Sequence, residues 1–440
     1  MLTDSPVRVE LSPGLDLTPE FVEALDRLNH RGENLFITGR AGTGKSTLLQ
    51  EFKKTTARRV VVLAPTGIAA LQAGGQTIHS FFGFPHHYLD PDRVKKSGRF
   101  KRVIREMDTL VVDEVSMVRS DVMEAMDRAL KLTRQSPLPF GGVQAVFVGD
   151  AFQLPPVVER ELAGLFTERH SGPYFFDAPV WRELAPRRVE LQTVHRQKTD
   201  GTFLNLLNAV RDNSLTEDDF IRLNERVGPA GPVPGRVSLV TTRALSRAIN
   251  ERELARLTGR DHCYEALVDG AFDESSFPTE EKLLLKPGAQ VMMLRNHPER
   301  WWVNGDLGVV EKCGDGFLSV GVRGTSYEVS PVVWEKYAYV MNKKGGLEQK
   351  PVGTFLQFPV RLAWAITIHK SQGQTFQEVV VDLGSGAFAH GQTYVALSRC
   401  TTLSGLTLRR PLRPSDILCD PRVVEFHERG GNVGINQSLL

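Results

Sequence analysis

The chain has 440 residues, more than the ~250–300 at which a single hydrophobic core stops growing, so two or more domains are expected. Its 41% hydrophobic and 24% charged residues are the make-up of an ordinary globular protein, and a net charge of +2 neither argues for nor excludes a nucleic-acid partner, because a basic groove can hide in a balanced total. Cys263, Cys313, Cys400 and Cys419 form no C-x-x-C pair, no apolar run nears the ~18 residues of a membrane span, and the N-terminus has no basic start leading into an apolar core. Neither a zinc ribbon nor a redox motif is supported, the scattered cysteines fit a reducing compartment better than a disulfide framework, no signal peptide or membrane span is expected, and the expected location is cytoplasmic.

Leu17-Thr18-Pro19-Glu20 reads as a helix start, with Pro19 at a first helical position. The short apolar run Leu35–Thr38 then leads into Gly39-Arg40-Ala41-Gly42-Thr43-Gly44-Lys45-Ser46, a complete phosphate-loop pattern. Glycines there let main-chain N–H groups wrap around phosphate oxygens, and the helix opening at Lys45 adds its positive end. Lys45 is suited to the β- and γ-phosphates and the Ser46 hydroxyl to Mg²⁺. Gly39, Ala41, Gly42, Thr43, Gly44, Lys45, Ser46 and Thr47 are the candidate contacts to ATP.

Val60–Ala64 is a second buried strand, followed by the turn Pro65-Thr66-Gly67, where a hydroxyl and a free N–H can meet a phosphate. Within Ile78–Phe84, His79 and Phe81 are candidate strand contacts, although core packing is the ordinary role for most of these rings. Residues 83–105 read as an excursion, a small wedge, crowded at its end by Arg93, Lys95, Lys96, Arg99, Lys101, Arg102 and Arg105. Leu110–Val112 delivers Asp113 and Glu114 at a strand's C-terminal end, where ligands of open α/β sheets bind. Asp113 can anchor Mg²⁺, and Glu114 can take the proton of an attacking water.

Val122, Met126, Ala129 and Leu130 form one helical stripe before the strand Ala145–Val148. Gln153 follows in Gly149–Pro156 as a γ-phosphate sensor candidate, and Arg196 and Arg399 are the candidate cations for the transition state. Val237–Val240, ending at Thr241 and Thr242, and Val379–Leu383 belong to a second α/β unit in two pieces, 193–254 and 356–430. Between them, 255–355 is crowded with turns (Lys286-Pro287-Gly288, Asn304-Gly305-Asp306) and short strand-like runs, as in a small inserted antiparallel barrel. His369, Lys370 and Ser371 form a further polar cluster, and 431–440 reads as a loose tail. A GTPase is disfavoured, since Asn342-Lys343-Lys344-Gly345 departs from a guanine-reading Asn-Lys-x-Asp.

Taken in order from about residue 33 to 405, these motifs resemble the Pif family of DNA helicases, in the 5′-to-3′ branch of superfamily 1. The resemblance rests on Gly39–Ser46, Ala64–Ala70, Gly75–Phe81, Val112–Met117, Phe140–Gly142 with Gly149–Pro156, His195–Gln197, Thr367–Gly373 and Tyr394–Arg399. It implies an α/β fold of two RecA-like P-loop domains, the first over 1–192 with the wedge, the second over the two pieces above, with the small inserted β-barrel between them. ATP and Mg²⁺ would sit in the cleft, with Lys45, Ser46, Asp113, Glu114 and Gln153 on one side and Arg196 and Arg399 on the other. Single-stranded DNA would lie across Pro65, Thr66, Gly67, His79, Phe81, Thr241, Thr242, His369, Lys370 and Ser371. Duplex DNA, and quadruplexes among structured forms, would be the substrates of a protein that is a monomer in isolation. One departure is that relatives usually read adenine with a Gln before the phosphate loop, where this chain has Glu20. A nucleic-acid-stimulated ATPase that remodels complexes without unwinding is the alternative from another class. Other superfamily-1 motors, such as a recombination-nuclease helicase subunit or a conjugative relaxase, are the near ones.

Overall fold

Apolar runs in the first half of the chain pair side by side into one parallel sheet. The computed structural model describes residues 17–431 apart from 97, 99, 198, 199 and 230. The strands are β1 (Leu35–Gly39), β2 (Val60–Ala64), β3 (Gln76–Thr77), β4 (Thr109–Val112), β5 (Gln144–Val148) and β6 (Arg187–Leu191), in the order β3-β2-β4-β5-β1-β6. Alternation sends their side chains to two cores. Leu35, Ile37, Val62, Val111, Val146 and Val148 pack with Leu48, Leu49 and Phe52 of the helix Lys45–Thr55. Phe36, Val61, Leu63, Leu110, Val112 and Phe147 face the other way, onto the helix Ser120–Arg134, whose Val122, Met126, Ala129 and Leu130 are all buried. A sheet covered on both faces needs central strands that are largely apolar, as β1, β2, β4 and β5 are, whereas the edge strands β3 and β6 carry polar residues.

The second lobe repeats the plan with fewer strands. β7 (Val237–Val240) lies in a four-stranded parallel sheet, in the order β18-β7-β19-β20, with β18 (Ala365–Thr367), β19 (Val379–Asp382) and β20 (Leu406–Leu408). Two RecA-like lobes with an inserted β-rich unit are thus the architecture.

The insert divides its strands among three sheets. β8 (His262–Glu265) pairs with β10 (Lys282–Leu285), and β9 (Leu267–Gly270) flanks a long hairpin of β15 (Val332–Met341) and β16 (Leu347–Gln357). β11 (Gln290–Met293), β12 (Leu307–Cys313), β13 (Leu318–Val322), β14 (Thr325–Val329) and β17 (Val360–Leu362) form a five-stranded antiparallel sheet, ordered β14-β13-β12-β11-β17. Two expected boundaries move. The insert runs past 355, because β17 pairs with β11. The helix Pro421–Glu428, counted with the second lobe from sequence, is seated on the first. Its Phe426 stacks on Phe176 with centroids 4.2 Å apart, and Arg188 donates to the His427 carbonyl at 2.6 Å.

The expected tail lies outside the described residues beyond Gly431, and Arg99 of the basic run lies outside them as well. Among the described residues no helix is long and apolar enough to cross a membrane. In the wedge, a 3-10 turn Pro91–Arg93 precedes the helix Lys101–Glu106, and Arg105 Nε donates to the Thr133 carbonyl at 3.2 Å.

Candidate active site

Three neighbouring strands, β4, β5 and β1, end on the same edge of the first sheet, and each carries functional residues just past its last residue. β1 runs into the phosphate loop. Gly42 there has φ +83°, and a Cβ on it would lie 2.6 Å from the Arg196 Cβ, so a side chain is excluded by both conformation and space. The loop is pinned to the segment that carries Arg196: the His195 N–H donates to the Gly42 carbonyl at 2.9 Å. Thr43 Oγ1 donates to the Arg40 carbonyl at 3.0 Å, and Lys45 Nζ donates to the carbonyls of Gly39 (2.6 Å) and Arg40 (3.0 Å). Burial works against the Lys45 charge, while Asp150 and Glu114 support it. Ser46 and Thr47 follow on the first turn of the helix Lys45–Thr55, with Ser46 exposed.

β4 ends in Asp113 and Glu114. Glu114 adopts φ +50°, a left-handed conformation that costs a non-glycine residue free energy and turns the chain sharply, and its N–H donates to Asp113 Oδ1 at 2.9 Å. Burial and then the adjoining Asp113 push the Glu114 carboxyl up to about 7, with Lys45 and Arg399 pulling the other way. Burial raises Asp113 too, against Lys45. A base poised near neutrality is what proton removal from water requires. Among the described residues no group of three or more His, Cys, Asp or Glu side chains is arranged to hold a metal.

β5 delivers Asp150 and Gln153. Asp150 is wholly buried. Its Oδ1 faces Arg211 Nη2 at 3.3 Å, and its Oδ2 lies 3.5 Å from both Gln153 Nε2 and the Tyr394 hydroxyl. Arg211 also lies over the Phe152 ring, 3.9 Å from its centroid. From the second lobe, Arg399 is 2% exposed, with Nε on the Val395 carbonyl (3.0 Å) and Nη2 on Ser398 Oγ (2.9 Å). Arg196 donates to the Ser398 carbonyl at 3.0 Å. Burial opposes both charges, and Arg399 adds like-charge repulsion to Arg196. Two desolvated cations at one seam are best relieved by an anion between the lobes.

The PIF1-like helicase family model matches residues 19–219. The chain is 35% identical over 429 residues to the ATP-dependent DNA helicase Pif1 of Bdellovibrio bacteriovorus, covering 94% of this chain and 92% of that one. This chain belongs to the PIF1-like helicase family. Its fold is similar to that of a Bacteroides Pif1 in complex with ADP-AlF4, with TM-score 0.87, 34% identity and 94% and 97% of the two chains covered. It is also similar to Bacteroides Pif1 bound to single-stranded DNA, with TM-score 0.69, 34% identity and the same coverage.

On the face expected to hold DNA in this PIF1-like helicase, the residues divide by exposure. Pro65 and Thr66 are half-buried at the end of β2, with Thr66 Oγ1 capping the helix Gly67–Ala73. His79 is half-buried and stacks on His86 at 4.7 Å, and burial followed by His86 pushes its imidazole down to about 4. Thr242 caps the helix Arg243–Arg256 and is exposed, as is Lys370, with His369 half-buried beside it. Four expected contacts are covered. Phe81 is fully buried, stacked on Phe100 at 5.0 Å and edge-on to Tyr339 of the insert, so it offers no face to a base and is a core residue. Ser371 is fully buried and spends its hydroxyl on the Ile368 carbonyl at 2.7 Å. Thr241 is 7% exposed. Gly67 is buried beneath Ser276 of the insert, whose Cα would lie 2.7 Å from an added Cβ.

Replacing Phe81 with Ala should therefore destabilise the fold by about 3–5 kcal/mol, the usual cost of truncating a buried Phe. Chemical denaturation measures this, and wild-type stability combined with lost DNA binding would return Phe81 to the strand-binding face. Glu20 also has a structural role. Its carboxylate accepts from the Gln192 N–H (3.3 Å) and the Thr193 hydroxyl (3.4 Å), tying the first helix to the end of β6. Sequence reading missed Asp150, Arg211 and Tyr394. The first and last stand inside quoted motifs that carried no role for them, and Arg211 has no local motif.

Proposed function

We propose that this chain is an ATP-dependent DNA helicase that moves 5′ to 3′ on single-stranded DNA and opens duplex. The observation that carries the reading is the convergence of Lys45 and Glu114 of the first lobe with Arg196 and Arg399 of the second at one seam. In the reading, the phosphate-loop amides and Lys45 hold the triphosphate, Glu114 takes the proton of the attacking water, and Gln153 orients that water. Arg399 and Arg196 offset charge on the transferring phosphoryl group. Mg²⁺, when bound at Ser46 and Asp113, would neutralise part of the phosphate charge. Because Arg399 sits on the second lobe and the loop on the first, with Arg196 bridging from the loop to Ser398, hydrolysis changes the attraction between lobes, and alternate grip on the strand becomes stepping. The kinship to a protein solved bound to single-stranded DNA supports the choice of nucleic acid.

Strand displacement on tailed duplexes tests this. Displacement from a 5′ tail and not from a 3′ tail is expected. Displacement only from the 3′ tail would reverse the polarity, and ATPase stimulated by DNA without displacement would favour the remodelling alternative.

Exposed Lys95, Lys96, Lys101 and Arg102 of the wedge are assigned to the DNA backbone in this reading. Charge reversal at Lys95, Lys96 and Lys101 should lower the slope of log affinity against log salt by up to about one per lost phosphate contact. An unchanged slope would remove the wedge from the DNA path.

A further inference from the structure

Within the phosphate loop, the Ala41 N–H donates to the hydroxyl oxygen of Tyr394, 3.1 Å away and 353 residues later in the chain. Tyr394 sits on the second-lobe helix Gln392–Leu397 and is 4% exposed. Its hydroxyl reaches toward Asp150 Oδ2 at 3.5 Å, the oxygen that also faces Gln153 Nε2 at 3.5 Å, while Asp150 Oδ1 holds Arg211. Burial and then Asp150 push the phenol up to about 12, so the hydroxyl keeps its proton and serves as acceptor from one group and donor to the other. The helix carrying it is pressed onto the Gln153 loop: a Cβ on Gly391, at φ +68°, would lie 2.2 Å from the Phe152 carbonyl and 2.8 Å from that of Gln153.

We propose that Tyr394 is a positioning residue that competes with the triphosphate for the Ala41 amide and passes the outcome through Asp150 to Gln153. The proposal rests on reading the loop as an ATP site. A phosphate oxygen is a charged acceptor and outbids a neutral phenol for a main-chain N–H. Once displaced, the hydroxyl keeps Asp150 as its partner. Asp150 then redistributes its oxygens among Tyr394, Gln153 and Arg211, and the helix Gln392–Leu397 shifts with its tyrosine. Loop occupancy is thereby felt in the second lobe by a residue that touches no reacting atom.

The test compares wild type, Tyr394→Phe and Asp150→Asn for equilibrium binding of mant-AMPPNP and for DNA-stimulated ATPase. Tyr394→Phe removes the competing oxygen and keeps the ring. It should bind the analogue roughly two- to tenfold more tightly, the factor that one neutral hydrogen bond is worth, with a lower kcat. Asp150→Asn leaves the Ala41 contact in place and should lower kcat without tightening binding. A merely structural tyrosine would not raise affinity. Unchanged or weaker binding by Tyr394→Phe, or equal tightening in both variants, would overturn the proposal. Failure of the wild type to bind the analogue would overturn the ATP-site reading and this proposal with it.

Discussion

Changing Arg399 to Ala should lower DNA-stimulated kcat by about 10³–10⁵-fold, the range over which an arginine that meets the transferring phosphoryl group acts. Nucleotide affinity should change far less, since the proposed ground-state contacts are those of Lys45 and the loop amides. The expectation rests on where the guanidinium is held. It is 2% exposed, fixed by the Val395 carbonyl and Ser398 Oγ, and close enough to the first lobe for Glu114 and Asp150 to support its charge. A fixed cation in a low-dielectric seam needs no reorganisation when charge develops opposite it. Arg399→Lys retains the charge but loses the planar fork, so most of the defect should remain. Steady-state ATPase with saturating oligonucleotide, alongside binding of a fluorescent nucleotide, separates the two effects. A fall in kcat of less than tenfold would place Arg399 outside the chemistry.

Glu114→Gln should lower kcat by about 10²–10⁴-fold and spare nucleotide binding, because the amide has the shape of the acid without its basicity. The pH profile supplies an independent check. Burial and Asp113 push the Glu114 carboxyl up to about 7. The base acts deprotonated, so wild-type kcat rises with pH through that region and levels off above it. A cation bound beside Asp113 would favour the carboxylate and move the inflection lower. The variant should show no inflection there. Persisting turnover in Glu114→Gln would remove it as the base.

The features legible in the sequence are those written locally. Leu35–Gly39 announces a buried strand, the loop after it announces phosphate, and the Val122/Met126/Ala129/Leu130 stripe announces the helix that covers the sheet. Asp113 and Glu114 are readable because a strand delivers them to the edge where the loop also lies. What stays hidden depends on contacts between distant segments. Nothing near Tyr394 indicates that its hydroxyl meets Ala41, and nothing near Arg211 indicates Asp150. Phe81 sits in a motif beside a polar histidine, and only packing against Phe100 and Tyr339 reveals a core role.

The hairpin β15–β16 carries no clear sequence signature, since much of it alternates between partial and full exposure rather than between buried and polar. Its Tyr339 hydroxyl meets the Val62 main chain on the first lobe, and the Tyr339 N–H donates to the Gln76 side chain at 3.2 Å. The insert therefore leans on the first lobe as well as on its parent. The helix Pro421–Glu428 is illegible for a similar reason: it follows the second lobe in sequence, but its aromatic residue is complementary to Phe36, Phe175 and Phe176 of the first.

A crystal structure with ADP, aluminium fluoride and a short single-stranded oligonucleotide tests the shared ATP site most directly. The guanidinium groups of Arg196 and Arg399 should lie within hydrogen-bond reach of the fluoride group, with Lys45 on its opposite side. If both arginines instead keep to the Ser398 and Val395 carbonyls while the seam stands open around a bound nucleotide, the two-lobed engine is contradicted.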